Sequence, residues 1–180
     1  MHHEEHAKRR EAAMIEDLPD HVAGLRRYAL ALTGSRYEAE DLVQETLTRA
    51  IGAAGGFRKG GNLRGWLFSI MHNAFISGVR SRRAAEQEVD DNLPELRQSP
   101  SQLDRLEVRD VLSALSRLPE AQRAALVLVG LEDFSYAEAA RVLGVPIGTL
   151  MSRLARGREA LRRAMSEDQT PRLHIVGEKS

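Results

Sequence analysis

The sequence has no cysteine, few aromatic residues and no long apolar run, and each absence removes a class of protein. Without cysteine there is no disulfide framework and no thiolate metal site, so a cytoplasmic protein is expected. Aromatic residues make up only 4% of the chain against 42% apolar residues in all. Small cores of Leu, Val and Ala, as in helical bundles, suit that balance better than a sheet sandwich. No stretch approaches the roughly 20 apolar residues that a bilayer span requires. No charged-then-apolar signal segment opens the chain, so no membrane insertion is expected.

Catalytic signatures are lacking as well. The glycine-rich run 52–61 has no Gly-Lys-Ser/Thr ending with which to cradle a phosphate, and no nucleophile motif or metal-ligand pair on a helix occurs. His2, His3 and His6 cluster near the start, where a casual grouping is the ordinary case, while His21, His72 and His174 have no partners at catalytic spacing. The reading is therefore of a protein that is not an enzyme, with no catalytic residue, no metal, no cofactor and no small-molecule substrate.

Charge of one sign is missing from the total but not from the parts. The 180 residues carry 26 basic and 26 acidic side chains, for a net charge of zero. Residues 57–83 hold Arg58, Lys59, Arg64, Arg80, Arg82 and Arg83 and no acid. Residues 84–110 are predominantly acidic, and 146–165 carry Arg153, Arg156, Arg158, Arg162 and Arg163 against Glu159 alone. Two basic blocks flanking an acidic one suggest two sites for a polyanion, joined by a segment that avoids it.

Hydrophobic periodicity is helical wherever it exists, and the fold class expected is all-α. Residues 1–17 are polar and charged, and predict a disordered leader. From 18 to 83 the period supports one domain. Leu25, Tyr28, Ala29 and Leu32 mark a first helix that stops at Thr33-Gly34. Ala39, Leu42, Val43, Leu47, Ala50 and Ile51 form one apolar face of a second. Asn62 is a candidate N-cap for a third, whose expected buried stripe is Leu63, Trp66, Leu67, Ile70 and Ala74. Residues 84–103 lose the period, gather acids and contain Pro94 and Pro100, and read as a flexible linker. A second domain is expected over 104–165 and a flexible tail over 166–180.

The second domain holds the most legible motif. Ser135-Tyr136-Ala137-Glu138 fits a capping box, Gly144 fits a left-handed turn, and Pro146 suits the first turn of a following helix. Helix, glycine turn and helix in that order predict a helix-turn-helix. On the second of these helices Ile147, Leu150, Leu154 and Leu161 share the expected inner stripe. Thr149, Ser152, Arg153 and Arg156 share the opposite face, where hydroxyls and guanidinium groups can meet base edges and phosphates in a major groove.

The first domain offers two polar faces. Asp41, Gln44, Glu45 and Thr48 form a continuous stripe on the second helix. On the third, Phe68, His72, Asn73, Ser77 and Arg80 are expected to lie away from the buried stripe, next to Arg82 and Arg83. Aromatic, amide and basic groups together suit single-stranded DNA, where stacking contributes roughly 1–3 kcal/mol per base. For Phe75 the core and this face are equally good expectations.

These motifs resemble a known family. Asp41-Leu42-Val43-Gln44-Glu45-Thr46-Leu47, followed by Asn62-Leu63-Arg64-Gly65-Trp66-Leu67-Phe68-Ser69-Ile70 and Asn73, is similar to the first conserved domain of extracytoplasmic-function sigma factors of the sigma-70 family. Leu118-Pro119-Glu120, then Leu131 to Tyr136, then Gly144-Val145-Pro146-Ile147-Gly148-Thr149-Leu150-Met151-Ser152-Arg153, is similar to the second. The resemblance implies a region 2 domain over 18–83 and a region 4 domain over 104–165. It implies that Asp41, Gln44, Glu45 and Thr48 dock on core RNA polymerase. It also implies that Arg58, Lys59, Arg64, Phe68, His72, Asn73, Ser77, Arg80, Arg82 and Arg83 hold the melted −10 element of promoter DNA, with Asn73 capturing a flipped base. Thr149, Met151, Ser152, Arg153, Ala155 and Arg156 would read the −35 element as duplex, and an anti-sigma factor is the implied controlling partner. Met151 stands where several family members carry Arg, and Ala155 where some carry a bulky aromatic, so the −35 preference does not transfer. A helix-turn-helix regulator, or a sigma-like decoy that sequesters an anti-sigma factor, is the alternative expectation.

A length check supports a two-site reading. Elements about 25 base pairs apart lie about 85 Å apart along the duplex. Two small domains each cover roughly 20–25 Å of that, leaving about 60 Å. A linker of about twenty residues reaches at most roughly 66–72 Å.

Overall fold

The computed structural model describes residues 2–57, 60–87 and 106–168, with side chains over 12–57, 60–82 and 111–166. The described residues form seven α-helices in chain order: α1 (His2–Thr33), α2 (Arg36–Gly52), α3 (Leu63–Gln87), α4 (Leu106–Ser116), α5 (Glu120–Gly130), α6 (Tyr136–Leu143) and α7 (Ile147–Asp168). A 3-10 turn, Ala54–Gly56, follows α2. Among the described residues there is no β-strand. The all-α expectation and the two helical regions both hold.

Local chemistry sets the ends of these helices. Gly34 takes φ 69° and stops α1, and the Ser35 hydroxyl then accepts from the Glu38 amide to open α2. Asn62 Oδ1 accepts from the Gly65 amide at 2.8 Å and opens α3, as its position in the sequence predicts. The linker expected from residue 84 begins later, since α3 runs on to Gln87; the rest of it, and residues 169–180 of the tail, fall outside the described residues.

Residues 1–17 differ from the expected leader. From His2 onward the chain is continuous with α1, which runs through Pro19, and Met14 and Leu18 are buried. The Glu, Ala, Lys, Arg and Met of this segment are strong helix formers, so little apolar periodicity is needed for it to extend an existing helix.

In the N-terminal bundle, Leu25, Tyr28, Ala29 and Leu32 of α1 pack with Ala39, Leu42, Val43 and Ala50 of α2. The third wall corrects the sequence reading. Leu67, Phe68, Met71, Ala74 and Phe75 are the buried apolar residues of α3, whereas Leu63, Trp66 and Ile70 are only half-buried. The buried face is rotated from the expected one because α3 is covered on two sides, by α1 and α2 and by α6 of the other bundle. Phe75 belongs to the core. In the C-terminal bundle, Leu115, Ala124, Ala125, Val127 and Leu128 meet Ala139, Ala140, Val142 and Leu143 of α6 and Leu150 and Leu154 of α7. The two bundles are not separate. Their buried residues form one continuous cluster, with α1 and α3 packed on α5 and α6.

Candidate nucleic-acid interface

The helix-turn-helix is assembled as its sequence predicts. The Ser135 hydroxyl accepts from the Glu138 amide at 3.3 Å, and the Glu138 carboxylate accepts from both the Ser135 amide at 3.1 Å and the Ser135 hydroxyl at 2.6 Å. These hydrogen bonds hold the Glu138 carboxyl below its ordinary range, the Ser135 side chain contributing most. Gly144 takes φ 63° and ψ 35°, a left-handed C-cap that turns the chain toward α7. The Pro146 carbonyl then accepts from the Leu150 amide, so proline stands at the cap, one position before the first helical residue.

On α7 the inner stripe is Leu150 and Leu154, both buried, with Leu161 half-buried. Ile147, expected on that stripe, is 51% exposed and stands one turn before Met151 at 52%. It is the first residue of the helix. Met151, Ser152, Ala155 and Arg156 are exposed; Thr149 and Arg153 are half-buried. The Ser152 hydroxyl donates to the Gly148 carbonyl at 3.0 Å and Arg156 Nε to the Ser152 carbonyl at 3.2 Å, which steadies this face without occupying the outer guanidinium nitrogens. Gly157 lies against α5: a Cβ there would stand 3.0 Å from Leu126 Cδ1.

The residues expected at a melted strand divide into two groups. Asn73, Ser77 and Arg80 are exposed at i, i+4 and i+7 on α3, so they share one face, and Arg82 is exposed with a 3.4 Å ion pair to Glu38. Phe68 and His72, expected on that face, are buried instead. Phe68 packs between Tyr28 and Phe134, with ring centroids at 5.3 and 5.0 Å. His72 Nδ1 shares a 3.1 Å hydrogen bond with the Tyr28 hydroxyl. Burial, reinforced by the nearby Arg153 guanidinium, lowers the His72 pKa to about 4, so the ring is neutral at physiological pH. Arg64 is turned toward the other bundle, as described below. Arg58 and Lys59 lie outside the described residues, as does the side chain of Arg83.

The acidic stripe of α2 is open to solvent. Asp41, Gln44, Glu45 and Thr48 are all exposed, and their side-chain engagements among the described residues are local: Thr48 donates to the Gln44 carbonyl at 2.9 Å, and Arg49 pairs with Glu45 at 2.6 Å. Among the described residues no cluster of three or more His, Asp or Glu could hold a metal. No helix among them is long and apolar enough to cross a membrane.

The sequence reading passed over the densest polar site. Glu132, in the loop between α5 and α6, is 1% exposed. Its Oε1 accepts from Arg27 Nε at 2.8 Å, and its Oε2 accepts from Arg27 Nη2 at 3.1 Å and Arg64 Nη2 at 3.2 Å. Arg64 also donates to the Glu132 carbonyl and stacks over the Phe134 ring at 4.3 Å. The hydrogen bond to Glu132 holds the Arg27 pKa above its usual value. An isolated glycine at position 24, inside a helical pattern, was the sequence sign that something approaches α1 closely.

Comparison with known proteins agrees with this architecture. Residues 109–161 match the family described as sigma-70, region 4, and residues 18–72 match the family described as the sigma2 domain of PhyR. The chain is 41% identical over 150 residues to the ECF RNA polymerase sigma factor EcfG of Rhodopseudomonas palustris, covering 83% of each chain. Among solved structures it resembles the sigma factor RpoE of Bartonella quintana in complex with the anti-sigma factor NepR, with a TM-score of 0.76, 36% identity and coverage of 86% and 97% of the two chains. It also resembles CnrH in complex with the cytosolic domain of CnrY, with a TM-score of 0.68, 27% identity and coverage of 90% and 93%. With both conserved domains present in order, and the first relative matched over most of its length, the chain belongs to the extracytoplasmic-function sigma factors of the sigma-70 family.

Proposed function

We propose that this sigma factor acts in the cytoplasm, where it directs core RNA polymerase to promoters through two separate DNA contacts. The observation that carries the reading is the shared exposed face of Asn73, Ser77 and Arg80 on α3, in a chain whose α7 exposes Ser152 and Arg156. A single strand needs an amide and cations on an accessible ridge, while a duplex needs a helix that enters the major groove. The first face suits capture of the melted −10 strand, with the Asn73 amide reading a flipped base edge by paired hydrogen bonds. The second suits reading of the −35 duplex by Thr149, Met151, Ser152, Arg153, Ala155 and Arg156. The exposed Asp41, Gln44, Glu45 and Thr48 supply the docking face for polymerase. The two solved relatives are held by an anti-sigma factor and by the cytosolic domain of CnrY, and we assign this chain a controlling protein of the same kind.

The test is run-off transcription with and without core polymerase, paired with Asn73→Ala. Core-dependent initiation is expected from the wild type. The variant should form fewer open complexes with unchanged affinity for core polymerase, and equal loss of both would remove base capture from Asn73. Tight, sequence-specific duplex binding without polymerase, and no initiation with it, would turn the reading to a helix-turn-helix regulator.

A further inference from the structure

Glu132 belongs to the C-terminal bundle by sequence, yet its carboxylate is buried against side chains of the N-terminal one. Arg27 of α1 grips both oxygens with a fork of two nitrogens, and Arg64 of α3 adds a third hydrogen bond to Oε2. Two residues on, Phe134 is 3% exposed and meets the Phe68 ring edge-on at 5.0 Å. Between them Asp133 takes φ 52°, a left-handed conformation that few residues other than glycine adopt, and Asp is one of those few. Opposite the carboxylate lies Gly24, in the interior of α1. A Cβ there would stand 2.7 Å from Glu132 Oε2 and 3.4 Å from the Phe68 ring. Glycine is a poor residue for a helix interior, and here it provides the space that the carboxylate fills. Cations, aromatic wall and missing side chain together form a receptacle shaped for this loop.

The contact ties down groups of both domains. Arg64, expected at the melted strand from the sequence, is held on Glu132, and Arg153 of the duplex-reading set lies close enough to His72 to lower its pKa. Distance excludes the two states from coexisting. Bundles in contact cannot also sit on elements separated by the roughly 60 Å that the linker must cross.

We propose that Glu132 and Phe134 form an intramolecular latch that keeps the free chain closed and inactive, and that the latch must open before the two domains can occupy a promoter. The off state rests on the sigma-factor reading above; the latch itself does not. Opening releases Arg64 from Glu132 and frees the C-terminal bundle to move away on the linker.

The absence of cysteine makes the test direct. Tyr37→Cys on α2 and Met165→Cys on α7, both at exposed positions, accept one spin label each in the full chain. Double electron–electron resonance on the free protein should give one short, narrow distance. Two further changes are then introduced separately. Glu132→Gln removes the charge and keeps the shape. Gly24→Ala removes no charge, improves the helix and crowds the carboxylate. Each should raise the open-to-closed ratio by on the order of ten-fold or more, seen as a long, broad distance population. With core polymerase and limiting sigma factor, Gly24→Ala should raise initiation several-fold over the wild type. Circular dichroism checks that both variants keep their helices. If either variant unfolds, 0.5 M salt on the wild type replaces it and should enlarge the long-distance population. Unchanged distances would overturn the latch. Opened variants that initiate no better than the wild type would overturn the off state and leave the contact standing. If neither wild type nor variant initiates, the sigma reading fails along with the off state, while the distances still decide the latch.

Discussion

The Tyr28 hydroxyl and His72 Nδ1, 44 residues apart in sequence, meet at 3.1 Å, and both side chains are buried. Burial holds Tyr28 in its protonated form, its pKa raised by desolvation first and by the Glu120 carboxylate second. His72, with its pKa lowered to about 4, sees this hydroxyl on α1 and the Arg153 guanidinium on α7. Neither neighbour offers the negative charge that would stabilise an imidazolium.

This pair makes a pH prediction. A free histidine titrates near 6.5, so between about pH 6.5 and 4 the unfolded chain binds a proton that the folded chain refuses. Stability is then full above pH 6.5 and falls as the pH drops toward 4, by about 2–4 kcal/mol from this group. Urea unfolding at pH 4.5 and 7.5 should show that loss in the wild type. His72→Gln should be markedly flatter over the same range, and a parallel profile would assign the loss to the carboxylates.

The capping box sets the stability of the helix-turn-helix. Ser135→Ala removes the acceptor for the Glu138 amide and one donor to its carboxylate. A loss of about 1 kcal/mol is expected from chemical denaturation. Glu138 also accepts from Asn62 at 3.1 Å, so Glu138→Ala should cost at least as much; a smaller effect would mean that the box contributes little.

Gly144 should tolerate no β-carbon without strain. At φ 63° alanine pays the left-handed penalty, although nothing stands within 4 Å of the added carbon. The expected cost is about 1 kcal/mol, carried by conformation alone. Gly144→Asn should recover part of it, since asparagine adopts this region more readily. Equal losses in the two variants would point to packing.

At α7, Arg156 extends from an exposed face with its outer nitrogens free of protein partners among the described residues. Arg156→Ala should weaken binding of holoenzyme to a duplex carrying the −35 element and lower the salt dependence by about one unit of slope. Fluorescence anisotropy across a salt series reads both. Weaker binding with an unchanged slope would exclude a phosphate contact.

Local chemistry was the legible part of this chain. Ser135 and Glu138, Gly144, Asn62 and the stop at Gly34 act through atoms within a few residues of each other, so their spacing is visible in the sequence. The same holds for the exposed stripe of α2 and for Asn73, Ser77 and Arg80. Phe68, His72 and Ile147 were misplaced because their surroundings are set by elements far away in sequence. Phe68 looks polar-facing until Phe134 arrives from the other bundle, and Ile147 continues the apolar spacing of Leu150 and Leu154 yet stands exposed at the first position of its helix. Glu132 was the hardest to see. Its partners Arg27 and Arg64 lie 105 and 68 residues away, and no periodicity connects them.

Gly157 has a mechanical consequence. Helix α7 is 22 residues long, about 33 Å, and it rests on α5 near its midpoint through a residue that has no side chain. Any methyl group added there would act as a shim under a beam. Leu126 and Gln122 would have to give way by a few tenths of an ångström, or the two helices would have to part by that much at the fulcrum. The separation of α7 from α5 is thus set by the thickness of one residue, on the side of the helix away from Ser152 and Arg156.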